Sequence, residues 1–271
     1  MRIFVSVDLE GINGVVNWDQ CSPGSKPYDD ARVLMAAEAN AAIAGAFDAG
    51  ATEVLVNDAH GTQPNLPIAE LDRRTRLVTG HGKPLSMMQG IDESFDAAFL
   101  VGYHAGAGTP GVLSHTYDGT LWAVKLNSRL VGEVTLNAAV AGYFGVPVAL
   151  VTGDSPGCRE ALSNLGTIET VAVKDPITRY SAVCGHPTAA GERIKSAARA
   201  ALDRMQELEP FTLEPPVRIE LVFNHTGFAD AAELMPGARR VEATSVAYTS
   251  DDFIEVYRGF LTMLRLAGTT G

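Results

Sequence analysis

The chain has 271 residues, of which 46% are hydrophobic and 20% charged, a composition typical of a folded globular protein and unlike that of a disordered or fibrous chain. Its formal net charge of −11 argues against a nucleic-acid partner, because such binding relies on clustered Lys and Arg. The first apolar run is too short for a signal peptide and no run is long enough to span a bilayer, so we expect a cytoplasmic protein that does not enter membranes.

The predicted elements, taken in chain order, alternate between short β-branched apolar runs and helical segments, as in folds built around a parallel sheet. We predict strands over residues 3–7, 54–56, 97–101, 122–126, 146–151 and 219–223. We predict helices over about 29–49, 134–144, 189–205 and 252–266, and a loop over 175–187. The expected fold is a three-layer α/β structure with a mostly parallel sheet flanked by helices. We divide it into a main α/β domain over 1–185 and a smaller α/β subdomain over 186–271.

Two carboxylates, Asp8 and Glu10, follow the first predicted strand. In an extended chain, residues two apart point to the same side with roots roughly 6.5–7 Å apart, so this pair could flank two metal ions. Gly11 would let the backbone turn beneath them at no steric cost. The alternative is that both are solvated turn residues, and this short pattern alone does not decide between the two.

Two histidines and a third carboxylate occupy comparable positions. His60 and His104 each come shortly after a predicted strand, and Glu133 lies at the predicted start of a helix. Each one alone has an ordinary alternative, because loop histidines often contact backbone and any carboxylate is favoured at a helix N-terminus. Asn137, four residues after Glu133 on the same helix face, could orient it.

The carboxyl ends of parallel strands meet at one edge of a sheet, where open α/β folds place their sites. We therefore expect the following side chains to converge as metal ligands: Asp8, Glu10, His60, His104 and Glu133. The three cysteines form neither a CxxC pair nor a disulfide framework, so the ligand atoms should be nitrogen and oxygen. Such ligands suit zinc, manganese or iron, and a two-metal site of this kind favours hydrolysis.

A further histidine, His115, follows a glycine-rich stretch over residues 105–111. Such stretches are usually only flexible loops, so the sequence pattern alone leaves its role open. The remaining histidines have no comparable setting, and we interpret them as surface or packing residues: His81, His186 and His225.

Six sequence blocks occur in order along the chain: SVDLEG at 6–11, VNDAH at 56–60, KPLSM at 83–87, GYHA at 102–105, TPGVLSH at 109–115 and VGE at 131–133. In order and spacing they resemble the D-aminopeptidase family associated with bacterial dipeptide-transport operons. The resemblance covers nearly the whole chain, since it continues through NAAVAGYFGVPV and into LMPG at 234–237.

This resemblance implies a binuclear zinc aminopeptidase that acts on short peptides with an N-terminal D-residue, D-alanine in particular. It also implies a homodecamer of two stacked pentameric rings. We expect the part over 186–271 to support oligomerisation and the substrate pocket. By the family pattern, Asp8 would bridge two zinc ions, and His115 would be the catalytic residue outside their coordination shells. We expect His115 to deliver a proton to the leaving amine, with direct nucleophilic attack by its imidazole as an alternative.

Two other functions could use the same residues. One is a metal-dependent amidohydrolase or phosphoesterase that acts on a different bond, and the other is a non-catalytic, peptide-binding ring assembly. Hydrolysis of D-alanyl amides but not of phosphoesters would exclude the first, and turnover of any kind would exclude the second. The ligand set argues against the second, because buried carboxylates and histidines that converge without a metal would be costly.

Overall fold

The computed structural model describes residues 1–270, which contain twelve strands and six α-helices. The strands are β1 (Arg2–Val7), β2 (Glu53–Asp58), β3 (Arg76–Val78), β4 (Ala97–Tyr103), β5 (Leu121–Leu126), β6 (Arg129–Leu130), β7 (Val148–Asp154), β8 (Glu169–Thr178), β9 (Ser181–Cys184), β10 (Val217–Phe223), β11 (Arg239–Glu242) and β12 (Ser245–Ser250). The helices are α1 (Lys26–Asp48), α2 (Glu133–Tyr143), α3 (Ser155–Leu165), α4 (Pro187–Asp203), α5 (Thr226–Ala232) and α6 (Phe253–Ala267). Among these described residues, no helix combines the length and apolarity needed to cross a membrane.

Seven strands form the main sheet, in the order β3-β2-β1-β4-β7-β8-β9. All neighbouring pairs are parallel except β8 and β9, which confirms the predicted mostly parallel sheet. Both faces are covered: Ile3 and Val5 of β1 lie in a core with α1 and α4, whereas Phe4 lies in a second core with α2 and α6. Burial on both faces explains why β4 is a continuous apolar run and why β1 is apolar on both faces except at Arg2 and the buried Ser6.

A second sheet has five antiparallel strands in the order β11-β12-β10-β5-β6. The strand predicted over 122–126 is β5, and it pairs here with β10 rather than joining the main sheet. Helix α4 follows residue 185 but packs against α1 and the main sheet. The second sheet therefore combines strands from both sides of residue 185, whereas all strands of the main sheet precede that residue. The division at residue 185 stays a prediction.

The loop predicted over 175–187 is wrong for much of its length, because β8 and β9 form a hairpin there. Within the described chain, β8 pairs after Lys174 only with β9, and its other edge has no partner strand. Proline is tolerated at such a free strand edge, which explains Pro176 within β8. Helix α3 was also not predicted. Its start carries ordinary signals, since the Asp154 carboxylate accepts a hydrogen bond from the Gly157 N–H and Pro156 lies in the first turn.

Strand β1 lies at the point where the chain order of the main sheet reverses. The chain leaves β1 through α1 to β2 on one side, and it returns later as β4 on the other side. Open parallel sheets form a crevice at the carboxyl ends of strands at such a point. The ends of β1, β2 and β4, where the predicted ligands lie, therefore surround one crevice.

Candidate metal centre

The segment that carries Asp8 and Glu10 lies directly on the end of β4. The Asp8 N–H donates to the Val101 carbonyl at 2.8 Å, and the Gly11 N–H donates to the Gly102 carbonyl at 2.8 Å. A Cβ at Gly11 would lie 2.1 Å from the Tyr103 carbonyl oxygen, so the close approach requires glycine there. This contact holds both carboxylates beside His104, which follows β4.

The loop that carries His60 is fastened by the last residue of β2. The Asp58 carboxylate accepts hydrogen bonds from the Asn65 N–H at 2.5 Å, the Leu66 N–H at 2.6 Å and the Asn65 side-chain amide at 2.8 Å. The same Asn65 amide also donates to the His60 carbonyl at 2.6 Å. These bonds close the loop and fix the position of the His60 ring.

Glu133 is the first residue of α2, where the helix dipole favours a carboxylate. The Tyr117 N–H donates to Glu133 Oε1 at 2.6 Å and so orients this side chain. The expectation that Asn137 orients Glu133 is wrong. Asn137 lies one turn deeper, where its amide donates to the Tyr103 hydroxyl and its oxygen accepts from the Tyr117 hydroxyl, each at 3.0 Å.

The structure brings the five predicted ligands together, with all of them at most 6% exposed. On one side, His60 Nδ1 lies 2.7 Å from Glu10 Oε2 and 3.6 Å from Asp8 Oδ1. On the other side, His104 Nε2 lies 3.4 Å from Asp8 Oδ2 and 3.5 Å from Glu133 Oε2. Asp8 therefore lies between the two histidines, with a different oxygen facing each.

Backbone carbonyls fix which nitrogen of each ring faces the centre. The outward nitrogens, His60 Nε2 and His104 Nδ1, lie 2.8 Å from the Cys21 carbonyl and 3.0 Å from the Ala105 carbonyl. Since a carbonyl only accepts, each outward nitrogen carries the proton of a neutral ring. In the neutral rings the inward nitrogens carry lone pairs that face carboxylate oxygens, and a metal ion between them or a second proton on the ring offsets this repulsion.

Two buried atoms support this fit to a metal, because Asp8 Oδ2 and His104 Nε2 have no hydrogen-bond partner within residues 1–270. The electrostatics point the same way. Burial lowers the pKa of His104, but the carboxylates of Glu133 and Asp8 outweigh burial and raise it to about 10. Burial raises the pKa of Glu133 to about 8, against the opposing effect of His104. The buried carboxylates therefore favour a positive charge at this position, and the nitrogen and oxygen donors suit divalent zinc.

His115 lies at the same centre, as its predicted role requires. Its Nε2 is 3.9 Å from both Glu10 Oε1 and Glu133 Oε1, and its ring stacks on that of His104 with 4.5 Å between centroids. Its Nδ1 lies 2.9 Å from the Leu113 carbonyl, so the proton of the neutral ring lies on Nδ1. Burial and the neighbouring His104 lower the pKa of His115 to about 4, which makes Nε2 a free base at neutral pH.

Several residues at the site were not predicted. Cys21 supplies its carbonyl to His60, and its Sγ also lies within 4.8 Å of ligand atoms of Glu10 and His60, although burial raises the pKa of this thiol. Lys174, only 1% exposed, donates from Nζ to the carbonyls of Glu10, Ile12 and Val15. No local sequence signal identifies these contacts, because they join backbone atoms to residues far away in the chain.

Comparison with known proteins places these features in a wider context. The family model Peptidase_M55, described as D-aminopeptidase, matches residues 1–262. The chain is 39% identical over 273 residues to a D-aminopeptidase of Bacillus subtilis (strain 168), covering 100% of this chain and 99% of that protein. Its structure is similar to that of the Zn-dependent D-aminopeptidase DppA from Bacillus subtilis, a self-compartmentalizing protease, with a TM-score of 0.98 and 38% identity over 100% of this chain and 99% of that one.

Proposed function

The chain belongs to the D-aminopeptidase family, and we propose that it is a zinc-dependent D-aminopeptidase that hydrolyses short peptides with an N-terminal D-residue such as D-alanine. One observation carries this proposal. Three carboxylates line a cleft with His60 and His115, and His104 lies buried beside two of these carboxylates. Each of the three histidines has its other nitrogen on a backbone carbonyl. This arrangement suits a centre that holds two divalent ions and leaves one imidazole for proton transfer.

Two zinc ions would be held by the five ligands in two groups. His60 and Glu10 would serve one ion, and His104 and Glu133 the other, because each pair lies on its own side of Asp8. Asp8 would bridge them, since its two oxygens face different histidines. When bound, two such ions supply Lewis-acid polarisation of the scissile carbonyl and activation of water near neutral pH.

The chain's own residues would then hold the substrate and move the proton. His115 Nε2 would accept a proton from the attacking water and return it to the leaving amine, while the Leu113 carbonyl keeps the ring in the required tautomer. The Tyr117 N–H keeps Glu133 in place during this step. Trp18 meets the His115 ring edge to face, with 5.4 Å between centroids, and shields that side of the site.

The test is a substrate panel combined with metal analysis. Zinc-loaded protein should hydrolyse D-alanyl-D-alanine, cleave L-alanyl-L-alanine far more slowly, leave phosphoesters intact, and contain about two zinc ions per chain. Equal turnover of the L-peptide would contradict the preference for D-residues. Hydrolysis of phosphoesters alone would replace the proposed reaction with another, and peptide binding without any turnover would reduce the protein to a binding assembly.

We also propose that the chain forms a homodecamer of two stacked pentameric rings in the cytoplasm. The similarity to a self-compartmentalizing protease supports the assembly, and three free cysteines, two of them buried, support a reducing compartment. Light scattering should give a mass about ten times that of one chain. A monomer or dimer in that measurement would contradict the ring assembly.

A further inference from the structure

A second cavity adjoins the metal centre. The two cavities are neighbours that share one wall of four residues: Gly61, Gln63, Ser86 and Tyr117. Beyond this shared wall, the second cavity is lined by another set: His81, Gly82, Lys83, Leu261, Leu264 and Arg265. Together the two cavities, here called the cleft, reach from the metal centre to the last turn of α6, and the roles described above use only the first of them.

The two ends of this cleft carry opposite charge. The metal end has three carboxylates, whereas the far end has His81, Lys83 and Arg265, and no Asp or Glu lines it. Within residues 1–270, no carboxylate oxygen lies within 4.0 Å of the charged nitrogens of Lys83 or Arg265. In a chain of net charge −11, such a cationic end without a counter-ion favours an anionic group of a ligand.

Lys83 begins the KPLSM block, which has no role in metal binding. Its side chain is only 8% exposed, and Nζ donates to the Asn57 side-chain oxygen and to the Asp58 carbonyl, each at 2.6 Å. The Asn57 amide in turn donates to the Met87 carbonyl at 2.6 Å. These bonds fasten the block to the end of β2, and they leave Lys83 one N–H for a ligand.

The shared wall contains an unusual backbone. Gln63, Ser86 and Tyr117 have φ angles of +69°, +44° and +67°, in the left-handed region that non-glycine residues rarely adopt. Three further non-glycine residues within 1–270 share this conformation: Leu113, and Asn127 and Ser128 of the tight turn between β5 and β6. Of the wall residues, Tyr117 lies in a tight turn that the Asp118 N–H closes on the Thr116 carbonyl at 2.8 Å. Strained residues of this kind concentrate at binding sites. The Gln63 amide donates to the Ser86 hydroxyl at 3.2 Å, which places two polar side chains beside the path of a ligand.

We propose that the cationic end of the cleft binds the free C-terminal carboxylate of the peptide substrate. Arg265 pairs with the carboxylate, because a planar guanidinium matches its two oxygens, and the remaining N–H of Lys83 supports the pair. Gln63 and Ser86 hydrogen-bond the peptide between the two ends. This inference rests on the proposed function, which places the peptide amine at the metal centre. It makes short peptides with a free carboxyl terminus the substrate class.

The direct test measures binding without turnover. The probe is a D-alanyl-D-alanine analogue whose scissile amide is replaced by a methyleneamine, prepared with a C-terminal carboxylate or a C-terminal amide. Calorimetry on the zinc-loaded protein should show the carboxylate form binding on the order of tenfold more tightly, as expected for a charge-assisted hydrogen bond. Arg265→Gln should reduce this ratio to about twofold or less and leave the affinity for the amide form unchanged.

Arg258→Gln is the matched control, because Arg258 is an exposed arginine of the same helix that lines neither cavity. It should keep the full ratio. Equal binding of the two forms by the wild-type protein, or an unchanged ratio in Arg265→Gln, would overturn the proposal. A third probe has glutamate as its second residue and a C-terminal amide, so its only carboxylate is on the side chain. Tight binding of this probe would overturn the assignment of the cationic end to the C-terminal carboxylate.

Turnover separates this inference from the proposed function. If no D-aminoacyl peptide is hydrolysed, the proposed function fails, and the binding ratio still decides whether the carboxylate site exists. If D-alanyl-D-alanine and its C-terminal amide are hydrolysed with equal KM, the function stands and the carboxylate site is refuted. For the carboxylate peptide, Arg265→Gln should raise KM on the order of tenfold and leave kcat within about twofold.

Discussion

Lys174 offers the sharpest test of how the fold holds the metal centre. Its buried Nζ donates to the carbonyls of Glu10, Ile12 and Val15, and the first of these belongs to a predicted ligand. The Ile12 carbonyl also accepts from the Val15 N–H at 3.1 Å, so it would keep a partner without Lys174. Lys174→Met should therefore leave two buried carbonyls, those of Glu10 and Val15, without a hydrogen bond.

The magnitude follows from those two carbonyls. A buried acceptor left without its partner costs about 1–3 kcal/mol, which gives a gross loss of about 2–6 kcal/mol for the pair. Burial lowers the pKa of Lys174, which shows that holding this charge in the interior has its own cost, and methionine removes that cost. We therefore expect a net loss of about 2–4 kcal/mol in the free energy of unfolding. Zinc affinity should fall by about 10–100-fold, because the backbone that carries Glu10 loses its support.

Two measurements check this prediction. Urea unfolding of metal-free protein isolates the effect on the fold, and competition with a chelator measures zinc affinity. Lys195→Met is the control, because Lys195 forms an exposed ion pair with Asp48 and should leave both quantities unchanged. The reasoning is refuted if Lys174→Met unfolds at the same urea concentration as wild type and binds zinc as tightly.

Three further predictions concern single residues. Asp8→Ala should remove most bound zinc, since Asp8 faces both histidines, and full zinc content in elemental analysis would refute a bridging role. His115→Ala should keep both ions and lower kcat by about 10²–10⁴-fold, whereas loss of metal would make His115 a ligand. Burial raises the pKa of Glu38 from its ordinary value of 4.5 to about 7, so the unfolded chain ionises this group at lower pH than the folded chain does. The wild type therefore loses about 3 kcal/mol of its free energy of unfolding as pH rises from 4.5 to about 7. In urea unfolding, Glu38→Gln should be more stable than wild type by about 3 kcal/mol at pH 8 and by little at pH 4.

The convergence of the predicted metal ligands could be expected from sequence for a physical reason. His60 and His104 come within two residues of buried strands, and parallel strands bring their carboxyl ends to one edge whatever the details of packing. The contacts that orient these side chains were not accessible. Lys174 lies 164 residues from Glu10, and the Cys21 carbonyl lies 39 residues from His60. Backbone carbonyls leave no signature in residue type, so only the folded structure shows them.

The same limit applies to the second sheet. A strand pattern shows that residues 122–126 are extended, but it does not identify the partner strand. The partner, β10, lies roughly a hundred residues later in the chain, and Leu126, its partner Ile219 and residues of α6 share one core that only the folded chain assembles. The hairpin of β8 and β9 was missed because Pro176 reads as a loop residue unless the one-sided pairing of β8 is known.

Strand β2 connects the two ends of the cleft. Asp58 fastens the loop of His60 through its carboxylate, and it accepts from Lys83 through its carbonyl. The end of β2 therefore holds both His60, a proposed zinc ligand, and the KPLSM block, whose Lys83 lines the same cavity as Arg265. A peptide grows by about 3.3–3.6 Å for each residue, so each added residue moves its carboxylate well away from a cationic group held in this way. The fixed distance between the loop of His60 and the block of Lys83, both held by the end of β2, then determines which peptide length fits. This selection requires no movement of the chain.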